Sequence, residues 1–538
     1  MNFFKRAIKN VTRKPTKSLL LLITFFVIGN FVIIGLGVSQ ASDDAKVLTR
    51  QKMRAVVTYG VDYDAINKYV SELTDEDEIN EFYENYPRVT LADVHEILKD
   101  PRVKTANATS ISQFYGVDDE LTYVQLNNQA EENAGGGTSC WIDENGNEQC
   151  STYIEPNFSA KGNYFPNMIE IVDGDYTIVE GRFYSQEEID DHENVVLISK
   201  ALAEENGLRV GDTLKVYTYS PSDVDQWLGQ YGISIDDIIL ELEIIGLYDH
   251  NQKIMPDSEQ FDWTYPYENV DNMFLMPATT LSAANISIEQ KMFEYWQNEN
   301  PEDEYYNNPD NYPSLDNENY LYVNDVTILL NDPLEVDTFV KEHEGTIRSF
   351  MKLDANNDEF NRLARPLDTL SLYANFIVWL VVINAVVIIT LVTALTLKTR
   401  EYEIGVLLSM GTSKAKIIGQ FFVELAIVAI IGFSLSIVSG SLIANKVGAT
   451  VLDYQIESSG VKEDTEEDYW GTYPSIWNND YTTDVSLEDL VAEYNVSVSP
   501  LIIGEIYVVG LGIVLISILI PSMMIMRFNP KRILMNQG

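Results

Sequence analysis

TLSLYANFIVWLVVINAVVIITLVTALTL, residues 369–397, is an unbroken run of 29 uncharged residues. A helix needs about 20 apolar residues to cross roughly 30 Å of hydrocarbon. Three further runs meet this requirement: residues 18–38 carry no charge, and residues 417–444 and 501–526 carry one glutamate each, Glu424 and Glu505. The sequence therefore predicts an α-helical membrane protein with four transmembrane helices.

The distribution of charge predicts how these helices cross the membrane. Thirteen Lys and Arg residues precede the first run, separate the second from the third, and follow the fourth, against two glutamates. Residues 39–368 carry a net charge of −45 and residues 445–500 a net charge of −10. Because Lys and Arg collect on the cytoplasmic side, both termini are predicted to lie inside and the two acidic regions outside.

The N-terminal segment has two interpretations. Its apolar run is longer than the roughly 7–15 residues of a signal peptide, which favours a retained span over a cleaved leader. Before this run, Phe3, Ile8 and Val11 fall on one helical face, and Pro15 is expected to break the helix. Residues 1–17 are therefore predicted to form an amphipathic interfacial helix on the inner leaflet.

The predicted segments follow from these runs. They are the interfacial helix (1–17), the first span (18–38), a large outside region (39–368), the second span (369–397), a cytoplasmic loop (398–416), the third span (417–444), an outside loop (445–500), the fourth span (501–526) and a cytoplasmic tail (527–538).

The large outside region is predicted to be an α+β domain on a helical stalk. Residues 44–54 can continue the first helix, and the run 369–397 would measure about 43 Å as a helix, more than a bilayer requires. Helix-like and strand-like patterns alternate between the two stalk segments. The helix-like segments are Leu91–Leu98, Lys200–Asn206 and Glu335–His343; the strand-like ones are Val195–Ile198, Thr213–Tyr217, Leu240–Leu247 and Val323–Leu329.

Two insertions are rich in acidic and aromatic residues. Residues 297–322 combine Asn, Asp, Pro and Tyr, and residues 462–484 add Trp470 and Trp477 to a similar background. Turn formers and net charge favour solvated loops. The same composition would also suit contact with a cationic peptide or a partner protein, and the sequence leaves both interpretations open.

The chain has two cysteines, Cys140 and Cys150, both in the outside region. The nine residues between them include an Asn-Gly turn signal, so the segment is expected to close a hairpin. A disulfide is the expected state in an oxidising compartment. Two unpaired thiols are the alternative.

The sequence contains no pattern typical of a catalytic or metal site. The four histidines, His95, His192, His250 and His343, are far apart, and neither a phosphate-binding loop nor a nucleophile elbow occurs. The chain alone is therefore predicted to be no enzyme, to hold no metal or other cofactor, and to bind no nucleic acid.

The segment after the second span, REYEIGVLLSMGTSKAKIIGQFFVE (400–424), resembles the FtsX/MacB-like ABC transporter permeases. That family carries the signature R-x-x-E-I-G-x-L-x-x-x-G-x-[ST] at this place, followed by a glutamate that Glu424 matches. The signature residues in this sequence are Arg400, Glu403, Ile404, Gly405, Leu407, Gly411 and Ser413. The resemblance implies an FtsX-like permease domain over residues 369–530.

The outside region resembles the MacB-like core domain in three segments. They are VTLADVHEILKDPRVKTANA (89–108), the Gly-Arg and Gly-Asp segment within 179–216, and LELEIIGLYD (240–249). The implied architecture is that of type VII ABC transporters. MacB carries an ATPase on the same chain, whereas this sequence has none, so ATP and Mg²⁺ are expected on a separate ATPase subunit.

The resemblance gives the segment 398–416 a role. It would be the coupling helix, which docks in a groove of the cytoplasmic ATPase, with Ile404, Leu407, Leu408 and Met410 as its apolar contacts. Glu424 would either hold this loop or reach the inner interface. The full set of expected coupling residues is Arg400, Glu401, Glu403, Ile404, Gly405, Leu407, Leu408, Met410, Gly411 and Ser413.

The family also implies partners and a function. The chain is expected to work in the bacterial plasma membrane with ATPase subunits, a second permease chain, and an optional membrane-fusion or other extracytoplasmic partner. The favoured function is ATP-driven export of peptides or antibiotics by motion of the stalk. The alternatives are a mechanotransmitter that activates a cell-wall hydrolase, and a lipoprotein-releasing permease.

Overall fold

The computed structural model describes residues 9, 11–13, 15–117, 120–125, 137–142, 148–251, 265–317, 320–321, 323, 325–459, 494–496 and 499–527. Most of the predicted interfacial helix, the insertion 462–484 and the predicted cytoplasmic tail lie outside these residues. The chain divides into two compact units. The first contains the apolar helices, the second the residues from Arg54 to Asn357.

The described residues form the following α-helices: α1 Pro15–Lys52, α2 Tyr63–Glu72, α3 Glu76–Glu84, α4 Leu91–Val94, α5 Ile169–Val172, α6 Gln186–Asp190, α7 Lys200–Asn206, α8 Pro221–Gln226, α9 Ala278–Glu299, α10 Glu304–Asn307, α11 Val336–His343, α12 Asn357–Thr399, α13 Glu401–Ser409, α14 Lys414–Ser459 and α15 Pro500–Arg527. The strands are β1 Val56–Val61, β2 Val103–Gly116, β3 Gly137–Ile142, β4 Glu148–Tyr153, β5 Phe158–Asn163, β6 Tyr176–Gly181, β7 Val195–Ser199, β8 Thr213–Tyr217, β9 Ile239–His250, β10 Met273–Pro277, β11 Val326–Leu330 and β12 Met351–Asp354.

Four helices of the first unit, α1, α12, α14 and α15, are long and apolar enough to cross a membrane. Both α1 and α12 extend beyond their uncharged runs, to Lys52 and from Asn357 respectively. The third helix also continues beyond its predicted span, to Ser459. Residues 445–459 contain no proline and one glycine, which lets the helical hydrogen bonds run on.

Small residues bring α1 and α14 close together. Side-chain atoms of Ser436 lie where a Cβ at Gly29 would sit. A Cβ at Gly432 would lie 2.8 Å from that of Phe25, and Gly440 faces Ile33. Gly432, Ser436 and Gly440 are spaced four apart in the sequence, so they lie on one face of α14 and let the two helices approach closely.

The ends of α1 and α12 that lie away from α13 are joined by polar contacts. The hydroxyls of Ser39 and Ser371 are 2.9 Å apart, and the Asn375 amide donates to Ser39 over the same distance. Lys46 forms an ion pair with Asp368 at 2.7 Å. These contacts lie beside a buried apolar cluster that α1 and α12 share with α14.

The second unit is built on a mixed sheet of ten strands. Its order is β12-β1-β11-β2-β5-β10-β7-β9-β6, and β8 pairs with both β2 and β9. The 14-residue strand β2 pairs with β11 through its first half and with β5 and β8 through its second half. It thereby connects two apolar cores, one around Tyr59 and Phe339 and the other around Phe158 and Phe274.

The predicted α+β pattern is confirmed where hydrophobic periodicity was clear. The strand-like segments correspond to β7, β8, β9 and β11, and the helix-like ones to α4, α7 and α11. The insertion 297–322 begins inside α9 and contains the short helix α10. Its Tyr306 and Tyr312 pack edge-on against Phe293 of α9.

The hairpin β3–β4 lies outside the large sheet. Its register places Cys140 opposite Cys150. Cys140 is disulfide-bonded, and the described residues contain no free cysteine. Since the chain has two cysteines, the bond joins the adjacent strands β3 and β4.

Candidate functional site

The short helix α13 occupies the connection between the second and third spans. It begins one residue after Arg400 and ends at a left-handed turn, because Gly411 has a φ of 81°. In this turn the Gly411 amide donates to the Leu408 carbonyl and the Thr412 amide to the Leu407 carbonyl, both at 3.1 Å. This is a Schellman motif, in which glycine avoids the steric cost of positive φ.

Arg400 connects α13 to α14. Its Nε and Nη2 donate to the two carboxylate oxygens of Glu403 at 2.9 and 3.1 Å, and its Nη1 donates to Glu424 Oε2 at 2.8 Å. The side chains of Arg400 and Glu424 are only 6% and 13% exposed. A buried guanidinium with two carboxylates thus fixes the start of α13 against a glutamate within the third span.

Two residues that the sequence analysis missed complete this cluster. The Gln420 amide donates to Glu424 Oε1 at 2.9 Å, and the Arg400 guanidinium lies 4.7 Å from the centre of the Phe421 ring. The sequence could have predicted the contact between Gln420 and Glu424, since residues four apart on a helix lie on the same face. Glu424 therefore accepts a hydrogen bond from Gln420 of its own helix and another from Arg400 in the connection between the second and third spans.

Burial and charge shift the pKa of Arg400 in opposite directions. Burial alone would lower the pKa of its guanidinium, but the hydrogen bond with Glu403 and the charge of Glu424 raise that pKa above its ordinary value. A cavity of about 70 Å³ adjoins Arg400 and Glu424 and is also lined by Ser18 and Thr393. This volume is enough for about two water molecules.

The inner face of α13 packs on its own chain. Ile404 is buried among Leu397, Ile417 and Phe421, and Leu407 and Leu408 pack partly against the same cluster. Ile404 is thus covered by the ends of the adjoining spans, because α13 folds back onto those spans. Leu407 and Leu408 are half-buried, so their docking in a partner's groove stays a prediction.

The outer face of α13 remains open to a partner. Tyr402 is 54% exposed and Met410 66% exposed. Glu403 and Ser409 are exposed beside them, and Val406 is half-buried. Of the apolar residues expected to dock, Met410 alone retains a large exposed surface, and Tyr402 is a further candidate.

Three further residues of the predicted coupling set are Glu401, Gly405 and Ser413. Gly405 is buried, and Glu401 lies half-buried in the first turn of α13. The Ser413 carbonyl accepts from the amides of Lys416 and Ile417, so this residue begins the first turn of α14. Among the described residues no cluster of His, Cys, Asp or Glu could hold a metal ion.

Comparisons with known proteins place this arrangement in a family. The MacB-like periplasmic core domain family matches residues 21–343, and the FtsX-like permease C-terminal family matches residues 375–530. The first match alone covers more than half of the chain. The chain belongs to the FtsX/MacB-like permease family. The permease is therefore a multi-pass membrane protein with a large extracytoplasmic domain and is a subunit of an ABC transporter.

A curated relative and two solved structures accompany this assignment. The permease is 28% identical over 545 residues to the uncharacterized ABC transporter permease YclI of Bacillus subtilis (strain 168), with 100% of both chains covered. It is also similar to the periplasmic region of MacB from Actinobacillus actinomycetemcomitans (6% identity, TM-score 0.26, 57% of this chain and 91% of that one).

The other structure is the extracellular domain of the noncanonic ABC-type transporter YknZ from Gram-positive bacteria. It shares 8% identity and a TM-score of 0.24, covering 55% of this chain and 98% of that one. Neither TM-score defines the fold, and the assignment rests on the family matches.

Proposed function

We propose that the permease transmits the conformational cycle of a separate cytoplasmic ABC ATPase to its extracytoplasmic domain, and thereby exports peptides or antibiotics. The observation that carries this proposal is the Arg400 cluster. It connects α13, a short helix with one exposed face, rigidly to the third span. Helix α13 also follows directly on the second span.

The first step is docking of the ATPase on the outer face of α13. Tyrosine and methionine are enriched at the centres of protein interfaces, and here Tyr402 and Met410 project from a helix whose opposite face is held by its own chain. A helix seated in a partner's groove buries such side chains. The buried face of α13 then provides the rigidity, and the exposed face the contact.

The second step is transmission along the membrane helices. The Arg400–Glu424 pair and the Ile404 cluster connect α13 to α14, so a force on α13 acts on α12 and α14 together. Helix α12 has 43 residues and measures about 64 Å, about twice the hydrocarbon thickness. At its other end, Ser371 and Asp368 bind α1, so α1 and α12 form one stalk.

The third step concerns the substrate. Residues 39–368 carry a net charge of −45, which raises the local concentration of cations outside the membrane. Among peptides and antibiotics, this charge favours cationic ones.

Docking is tested by comparing two exposed tyrosines. Truncation of an interface hot spot costs about 2 kcal/mol or more, so Tyr402→Ala should weaken ATPase binding by roughly thirtyfold. Tyr63→Ala is the matched control, since Tyr63 is 63% exposed on α2 of the other unit. Co-purification of the ATPase and the ATP hydrolysis rate would be measured at equal permease abundance. Equal ATPase binding by both variants would contradict the proposal.

Export is tested in proteoliposomes that contain the permease and its ATPase. ATP-dependent movement of a fluorescent cationic peptide, abolished by Tyr402→Ala and retained in Tyr63→Ala, is the expected result. If ATP hydrolysis instead responds only to an added cell-wall hydrolase, or only to a lipoprotein, the export assignment is wrong. The coupling role of α13 would remain in both cases.

A further inference from the structure

The cavity of about 70 Å³ beside Arg400 lies among α1, α12 and α14, at the ends of these helices next to α13. Its polar lining includes Lys17 and Ser18 of α1, Thr393 of α12, Arg400, and Glu424 of α14. Lys17 is exposed, whereas Arg400 and Thr393 are only 6% and 3% exposed. This space, here called the Thr393 cavity, therefore leads from the surface to buried hydrogen-bond donors.

Thr393 presents a hydroxyl without a partner to this cavity. Its Oγ1 atom is buried and forms no hydrogen bond within the described residues. Thr396 of the same helix instead donates to the Val392 carbonyl at 2.8 Å, which is the usual local partner of a threonine in a helix. Because an unpaired buried hydroxyl is costly, Thr393 suits a ligand that accepts a hydrogen bond.

Arg400 and Lys17 supply further donors. A guanidinium has five N–H groups, and Arg400 makes two hydrogen bonds to Glu403 and one to Glu424 within the described residues. Two N–H groups of Arg400 are then left for a ligand. Lys17 forms no ion pair in the same part of the chain, so its positive charge is also available.

The charges around the cavity favour an anion. Among the described residues that line it, Lys17 and Arg400 are positive and Glu424 alone is negative. The Glu424 carboxylate already accepts hydrogen bonds from Arg400 and Gln420, and Glu403 is exposed to water. An anion with several oxygen atoms matches this excess of donors and of positive charge.

The position of the cavity indicates where such an anion comes from. Lys17 directly precedes the uncharged run 18–38, and Arg400 follows the uncharged run 369–397, so both lie at the level of the lipid headgroups. The rest of the lining is mostly apolar and includes Leu21, Leu425 and Val428. The cavity therefore combines a cationic part with an apolar part, as the phosphate and acyl chains of a phospholipid require.

We propose that the Thr393 cavity binds a phosphate group through Lys17, Thr393 and Arg400. A phospholipid of the adjoining leaflet and free inorganic phosphate both carry this group, and the apolar lining favours the lipid. The phosphate oxygens accept from the Thr393 hydroxyl and the remaining N–H groups of Arg400, with the Lys17 ammonium at the entrance. The bound group joins α1 to the Arg400 cluster, a role beyond the docking and export proposed above.

Binding is tested by native mass spectrometry of the purified full-length permease. The probes are phosphatidylglycerol, diacylglycerol with the same acyl chains, and inorganic phosphate. Phosphatidylglycerol should bind tenfold or more tightly than diacylglycerol, because only the first carries the charged hydrogen-bond acceptor. Binding of inorganic phosphate without the lipid would support the phosphate site and contradict its lipid source. Equal binding of diacylglycerol, or no binding of either phosphate-bearing probe, would overturn the proposal.

Two substitutions and their matched controls locate the binding. Thr393→Val removes a hydroxyl and nearly keeps the shape, and should weaken phosphatidylglycerol binding by roughly tenfold or more. Lys17→Gln should weaken it by about fivefold. The controls are Thr390→Val, whose hydroxyl oxygen is also buried without a partner but does not line the cavity, and Lys398→Gln, in the last turn of α12 outside the cavity. Unchanged binding in Thr393→Val and Lys17→Gln, or equal weakening in the controls, would refute the site.

Thermal unfolding gives a second readout. A ligand that binds only the folded chain raises the thermal midpoint. Phosphatidylglycerol should raise the midpoint of the wild type and of Thr390→Val well above its effect on Thr393→Val, each compared with its own lipid-free midpoint. An equal rise in all three would show that the lipid acts elsewhere. Neither measurement includes the ATPase, so the result is independent of the docking proposal.

Discussion

Removal of the Arg400 side chain should loosen α13 without unfolding the rest of the protein. In Arg400→Met, Glu424 would keep its hydrogen bond from Gln420 but lose its ion pair with Arg400 while only 13% exposed. Breaking a buried ion pair by deleting one member costs about 3–5 kcal/mol. Glu403 is exposed and would be solvated by water, so it adds little to this cost.

The double variant Arg400→Met/Glu424→Gln removes both buried charges. Replacing a buried pair by uncharged residues of similar volume is often close to neutral, so most of the loss should be recovered. The expected coupling energy between the two positions is therefore about 2–3 kcal/mol. Lys215→Met is the control, because the ion pair between Lys215 and Glu241 is exposed on both sides and contributes little to stability.

Hydrogen exchange of the α13 amides measures this effect locally. A loss of 3–5 kcal/mol would speed exchange through local opening by roughly 150- to several thousandfold in Arg400→Met, and the double variant should return most of the protection. The extracytoplasmic sheet should exchange as in the wild type in both variants. If the effects of the two substitutions simply add, Arg400 and Glu424 do not act as a pair, and the argument for a rigid α13 fails.

Three further predictions concern the packing, the pH dependence and the topology. Gly432→Leu should separate α1 from α14 and lower the thermal midpoint of the membrane unit, since even a Cβ there meets α1; an unchanged midpoint would exclude the close contact. Hydrogen bonds from Arg182 lower the pKa of Glu188 from 4.5 to about 2, so this carboxylate stabilises the fold above pH 4.5 and loses that effect as the pH falls towards 2. Glu188→Gln should therefore lower the thermal midpoint at pH 7 and leave it nearly unchanged near pH 2; equal effects at both would refute the pairing. On intact cells an impermeant thiol reagent should label Ser71→Cys but not Ser413→Cys, and the reverse would overturn the predicted orientation.

Most of the fold could be predicted from the sequence because charge and hydrophobic period are strong local signals. The four apolar runs locate α1, α12, α14 and α15. Alternating or continuous apolar residues likewise locate β7, β8, β9 and β11. Such signals do not show where a helix ends, and α14 continues beyond its predicted span through residues 445–459, which contain no proline.

Strand β5 could not be predicted in the same way. Its sequence FSAKGN contains Lys161 and small residues, yet all six positions are buried. Lys161 is buried because it forms an ion pair with Glu170 of α5, and the Asn107 amide donates to the same carboxylate. Burial raises the pKa of Glu170, but the charge and hydrogen bond of Lys161, together with the hydrogen bonds from Asn107 and the backbone, outweigh this and leave the pKa lowered. Glu170 lies nine residues beyond Lys161 on another element, so their pairing leaves no periodic signal within the strand.

The candidate site shows the same limit. The signature residues were identified through the resemblance to the family, but the sequence did not show which of them the chain itself covers. Ile404 has an apolar side chain of the kind that docks in a partner's groove. Only the positions of Leu397, Ile417 and Phe421 show that its own chain covers it. Tyr402 was overlooked because a polar-aromatic residue within a signature of glycines and aliphatics gives no indication of its exposure.

Site-specific photocrosslinking tests the central claim, that the outer face of α13 contacts the ATPase. A benzophenone side chain would replace Tyr402 or Met410 in the assembled complex, and Tyr454, 67% exposed at the far end of α14, as the matched control. Irradiation should give an adduct of permease and ATPase from Tyr402 and Met410 and none from Tyr454. If complexes that retain the ATPase give no adduct from Tyr402 or Met410, or give one equally from Tyr454, α13 is not the docking site.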